Sequence, residues 1–147
     1  MAEAKHEAVI DVPLKKFYET ILDFSNYSKF ASGVKASQIL EENDDFISVH
    51  MDLEMIKRIE YDIEVHREFN ESSHTAKVWW TLKSGDLFKK NNGSWELTAQ
   101  GDSKTHVNYS LDVEFNFTVP GFILKNLIKK SLPGAVKDFH EETKRRL

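Results

Sequence analysis

Residues 107–117 read VNYSLDVEFNF, with Val107, Tyr109, Leu111, Val113, Phe115 and Phe117 on one side of an extended chain and Asn108, Ser110, Asp112, Glu114 and Asn116 on the other. Unbroken period-two patterning predicts a β-strand with one buried and one wet face. At about 3.3 Å per residue the strand runs roughly 35 Å, longer than most. Six large apolar side chains on one face require an extended partner. The following segment supplies one: after Val119-Pro120-Gly121, Leu124, Ile128, Leu132, Val136 and Phe139 recur at helical spacing, and Thr143 and Leu147 continue the stripe. Pro133 and Gly134 interrupt it. Proline removes a helical hydrogen bond and clashes with the preceding turn, so a kink or restart is expected there.

Working back from residue 107, the same alternation appears in FISVHMDLEMI (46–56) and RIEYDIEVHREF (58–69), and VKASQIL (34–40) and TAKVWWTLK (75–83) also read as strands. A further strand lies within 84–100, with a break expected near Asn92 and Gly93. Ahead of these strands, Ala4 to Asp11 predicts a strand, and Leu14, Phe17, Tyr18, Ile21 and Leu22 predict a helix over 13–24 with Pro13 at its first position. SNYSKF predicts a second short helix, capped by Ser25, burying Tyr27 and Phe30 and ended by Gly33. Helices at the two ends and strands between them indicate an α+β fold. A curved antiparallel sheet of about seven strands would wrap around the long C-terminal helix, in a single domain spanning residues 1–147.

Composition excludes some chemistry. The chain has no cysteine, so neither a disulfide framework nor a thiolate metal site is available. No segment approaches a membrane span or a signal-peptide core, which predicts a cytoplasmic protein. The net charge of −4 is unevenly spread, because residues 120–147 hold seven Lys or Arg against three Asp or Glu. A basic end on an acidic body favours an anionic membrane surface or an acidic partner. Nucleic acid is disfavoured, since the aromatic residues share the buried sheet face instead of interleaving with the lysines.

Three stretches carry a family resemblance: VPLKKFYETILDFSNYSKF (12–30), GDLFKKNNGSWEL (85–97) and the closing helix after Val119-Pro120-Gly121. Together they resemble the START-like, or SRPBCC, helix-grip superfamily, and within it the polyketide cyclase/dehydrase and coenzyme Q-binding group. Asp23, Tyr27 and Phe30 fit the opening motif, and Gly93 and Trp95 the glycine-tryptophan pair; all five read as fold determinants. The resemblance implies a deep cavity between sheet and helix that holds a hydrophobic or amphipathic small molecule. It carries over no catalytic residue and implies no cofactor.

Strand parity and the helix stripe nominate the ligand-binding residues: Met51, Leu53, Tyr61, Ile63, Val65, Arg67, Trp80, Leu82, Tyr109, Leu111, Val113 and Phe115 from the sheet, with Leu124, Ile128, Leu132 and Val136 from the helix. Arg67 shares the inward parity of Ile63 and Val65, where it would meet a carboxylate or phosphate. Tyr61 and Tyr109 offer hydroxyls to a ligand carbonyl. His50, His66 and His106 take the polar parity of their strands, an arrangement that provides no positioned base and no metal cluster. Phe122 and Ile123 followed by Lys125, Lys129 and Lys130 resemble an interfacial anchor for transient docking on a membrane or partner. The leading expectation is a non-catalytic carrier for a lipid, fatty acid or isoprenoid quinone. A polyketide cyclase/dehydratase-type enzyme and a ribosome- or protein-docking module are the alternatives.

Overall fold

Each alternating segment is a strand in the computed structural model, which describes residues 2–54 and 57–147, and the side chains of all these except Ala2, Leu127 and Ile128. The strands are β1 (Ala2–Ile10), β2 (Val34–Glu42), β3 (Ile47–Glu54), β4 (Arg58–Asn70), β5 (Thr75–Ser84), β6 (Phe88–Ala99) and β7 (Thr105–Phe115). They form one antiparallel sheet in the order β1-β7-β6-β5-β4-β3-β2. Helix α1 (Leu14–Leu22), a 3-10 turn (Phe24–Asn26) and helix α2 (Tyr27–Phe30) follow β1. The C-terminal helix is built from α3 (Gly121–Asn126), a π-helical turn (Leu127–Ser131) and α4 (Leu132–Arg145). This is the expected α+β helix-grip arrangement. Met55, part of the 46–56 alternation, lies outside the described residues.

Local departures from the sequence reading have physical causes. Pro133 stands in the first turn of α4, where its missing N–H costs little; the expected interruption is the π-helical turn just before it. Ser25 does not cap α2, because it lies inside the 3-10 turn. There Asn26 donates from Nδ2 to the Asp23 carboxylate at 2.8 and 3.0 Å. Helix α2 ends at Phe30, and Gly33, at φ +85°, turns the chain into β2. Leu147 is 65% exposed and leaves the apolar stripe, which ends at the fully buried Thr143. Strand β7 ends at Phe115, and Phe117 packs back on its ring at 5.1 Å.

Strand β6 is not broken at Asn92 and Gly93: it pairs with β7 from Phe88 opposite Phe115 to Ala99 opposite Thr105, with a bulge between Phe88 and Lys90. On its other edge, however, pairing with β5 stops at Trp80 opposite Gly93. There the Trp80 indole lies over Gly93, and a β-carbon on Gly93 would sit 2.2 Å from Trp80 Cζ2.

The helices divide the concave face into two halves. Over one, α1 and α4 close down on the sheet, and Phe17, Ile21, Val49, Val65, Val78, Leu97 and Val107 are almost fully buried. Two hydroxyl bonds fasten this half: Thr143 Oγ1 donates to Thr20 Oγ1 at 2.9 Å, and Thr105 Oγ1 donates to the Val12 carbonyl at 2.8 Å. Phe139 joins the halves, with its ring 5.1 Å from those of Tyr27 and Phe30 and 5.2 Å from that of Trp95. The other half is covered by α3, the π-helical turn and the start of α4, and it is not filled.

Candidate ligand cavity

Beneath that second cover lies a cavity of about 860 Å³. Binding sites of roughly 300–1,000 Å³ with mostly apolar walls are typical for small molecules. The sheet contributes Met51, Leu53, Tyr61, Ile63, Trp80, Tyr109, Leu111, Val113 and Phe115, and the helix contributes Leu124 and Leu132, all nominated from the sequence. Strand alternation explains the sheet set, since residues two apart share a face. Aromatic packing stiffens the walls: Trp95 stacks on Tyr109 at 4.1 Å, Tyr61 meets Phe88 edge-on at 4.9 Å, and Phe88 stacks on Phe115 at 5.0 Å.

Other nominated residues lie elsewhere. Val65 is fully buried and Val136 nearly so, but in the packed half. Leu82 is half-buried and packs against the core without lining the cavity. Arg67 sits beyond Val65 on β4, away from the cavity. It closes the β2–β3 turn by donating from Nη2 to the Asn43 carbonyl at 3.0 Å, with Glu42 at 3.9 Å. The side chain of Ile128 lies outside the described residues. Of the nominated docking residues, Phe122, Ile123 and Lys130 border the cavity, and Phe122 is 73% exposed. Lys125 and Lys129 are exposed on α3 and the π-helical turn.

Several lining residues were not nominated: Phe24, Tyr27, Phe88, Asn91, Trp95, Asp138 and Phe139. Asn91 and Trp95 share one parity on β6, so the signal was present. With a break expected at Asn92 and Gly93, no inward face is assigned to β6 from the sequence, and Trp95 reads only as a fold determinant. Phe88 is on the opposite parity, and the bulge between Phe88 and Lys90 turns it inward as well.

The polar groups of the interior are uncharged. Tyr27 donates its hydroxyl to the Ile21 carbonyl. Burial raises its pKa well above the ordinary phenol value, with smaller contributions from Tyr109, Asp23 and Tyr61. Burial also raises Tyr61, helped by Tyr109 and opposed by the Asn91 amide. Burial alone pushes the Tyr109 hydroxyl up to about 12. All three therefore stay protonated and act as hydrogen-bond donors. Among the lining residues the charged groups are Glu54, Lys130 and Asp138. Glu54 is exposed and faces Lys35 at 3.4 Å, Lys130 is exposed, and Asp138 Oδ2 accepts the Ser32 backbone N–H at 3.0 Å.

A family model described as "Polyketide cyclase / dehydrase and lipid transport" matches residues 10–140. No curated protein sequence matches the chain. The fold is similar to a START superfamily protein from Mycobacterium smegmatis, at TM-score 0.83 and 18% identity over 100% of both chains. It is also similar to the Zhui aromatase/cyclase from Streptomyces sp. R1128, at TM-score 0.79 and 12% identity over 98% of this chain and 94% of that one. Human StAR-related lipid transfer protein 5 aligns at TM-score 0.82 and 11% identity over 97% of this chain and 75% of that one.

Proposed function

The chain belongs to the polyketide cyclase/dehydrase and lipid transport family, and we propose that within it this protein binds and carries a hydrophobic small molecule of the lipid, fatty acid or isoprenoid quinone type. One observation carries the proposal: the cavity of about 860 Å³ between the sheet and the first half of the C-terminal helix, walled by apolar and aromatic side chains. A dry core packs to near-crystal density and leaves few voids larger than a water molecule. Space on this scale beside a tightly packed half fits a ligand site better than a defect in packing.

Carriage is favoured over catalysis by the chemistry of the walls. A cyclase or dehydratase needs a group that takes up a proton near working pH. The interior tyrosines are held protonated, and the carboxylates of the lining, Glu54 and Asp138, are engaged with Lys35 and Ser32. For delivery, we propose transient contact of α3 with an anionic membrane. No residue of α3 is buried, and Phe122 stands exposed at the edge of the cavity. An exposed aromatic beside lysines suits a lipid surface better than a ribosomal or acidic protein surface, which the lysines alone would serve. Among the described residues, no helix is long and apolar enough to cross a membrane.

Tryptophan emission tests the proposal, because Trp80 and Trp95 line the cavity while Trp79 takes the opposite face of β5. Titration with lipid and quinone mixtures is expected to shift the emission saturably, and Leu111→Asp should weaken the response by placing a charge in the apolar wall. A flat titration across the whole series would refute carriage.

A further inference from the structure

Asn91 has no apolar reason to be where it is. It is 4% exposed on the inward face of β6, among Phe88, Trp95 and Val113, and it lines the cavity. An unpaired amide in such a wall is costly. One partner fixes its orientation: Trp80 Nε1 donates to Asn91 Oδ1 at 3.2 Å. An indole N–H can only donate, so the Asn91 oxygen must face Trp80. The amide N–H groups are thereby turned away from the indole, in a cavity wall that Tyr61 shares. Gly93 makes this arrangement possible, since any β-carbon there would displace the Trp80 ring.

The two cavity hydroxyls complete the group. Tyr61 can accept from the Asn91 amide and still has its own proton to donate, whereas the Tyr27 hydroxyl is already committed to Ile21. Tyr109 is held flat against Trp95 at 4.1 Å, and among the described residues no side-chain hydrogen bond acts on its hydroxyl. Among the described lining residues these amide and phenol groups are all neutral and all able to donate, and the one cation, Lys130, is exposed.

We infer that Asn91, Tyr61 and Tyr109 form a neutral donor subsite that seats an uncharged acceptor oxygen, of the ketone, quinone or ester type, on an otherwise apolar ligand. A buried carboxylate would need a cation or several charge-assisted bonds to offset its desolvation, and the lining cation, Lys130, is exposed at the edge. The subsite therefore selects neutral carbonyl compounds over fatty carboxylates. This deepens the carrier reading and rests on it.

The test compares three probes of equal chain length by calorimetric titration: a long-chain methyl ketone, the alkane and the fatty carboxylate. Wild-type protein is expected to bind the ketone about tenfold more tightly than the alkane, the worth of one or two buried hydrogen bonds. Tyr61→Phe and Tyr109→Phe should each weaken ketone binding by about three- to tenfold and leave the alkane within about twofold. Asn91→Leu should do the same, and the two tyrosine variants keep the test decisive if that protein fails to fold. Equal affinity for ketone and alkane in wild type, or tightest binding of the carboxylate, overturns the subsite and leaves carriage standing. Binding of none of the three overturns carriage itself.

Discussion

Gly93 shows how a single position links the fold to the cavity. The Asn92-Gly93 pair has turn chemistry when read locally, yet the strand runs through it, and the glycine serves a tertiary contact with the Trp80 indole. Gly93→Ala is expected to push the indole off Asn91 and destabilise the protein by about 1–3 kcal/mol, the usual cost of overpacking. Urea denaturation and a changed tryptophan emission would register both effects; an unchanged midpoint would show that the ring yields freely. On the outer face, His50 Nδ1 lies 2.6 Å from Asp62 Oδ1, with Glu60 at 3.4 Å from Nε2. These carboxylates, Asp62 foremost, raise the histidine above its ordinary 6.5. A raised folded-state value gives stability that is complete below the unfolded value and disappears as pH rises through the folded one. His50→Gln should therefore lower Tm more at mildly acidic than at alkaline pH. Equal losses on both sides would remove the charge pairing from the account.

At the scale of elements, the C-terminal helix does two jobs divided at the π-helical turn. The α4 half fastens the molecule through Leu132, Val136, Phe139 and Thr143, all nearly or fully buried. Phe139→Ala should cost about 3–5 kcal/mol in chemical denaturation, as for other buried aromatics cut to alanine. The α3 half only covers the cavity. Phe122→Ser should change stability by less than about 0.5 kcal/mol, as for an ordinary surface site, while weakening co-sedimentation with anionic vesicles. Loss of fold in that variant, or full vesicle binding, would contradict the division of labour. Periodicity made the helix and its stripe legible, and Pro133 marked where it restarts. Leu147 matched the spacing but falls past the last residue of α4, where no surface remains to bury it.

Across the whole molecule, alternation revealed which face of each strand points inward but not which end of that face is packed. Val65 and Tyr61 share a parity on β4, and Val136 and Leu132 a stripe on the helix, yet Tyr61 and Leu132 line the cavity while Val65 and Val136 do not. Height along the strand depends on where α1 and α4 close on the sheet, a tertiary fact with no local signature. Arg67 shows the same limit: its inward parity was legible, but its position over the β2–β3 turn was not. Asn91 was hidden by a local turn signal that the β6–β7 pairing overrides. The central claim concerns what fills the unpacked half. Native mass spectrometry of gently purified protein, followed by organic extraction and identification of the released compound, tests it most directly. The account predicts a one-to-one adduct of a largely apolar molecule, present on purification or acquired from a lipid and quinone mixture. A bare polypeptide mass that persists after incubation with such mixtures would contradict it.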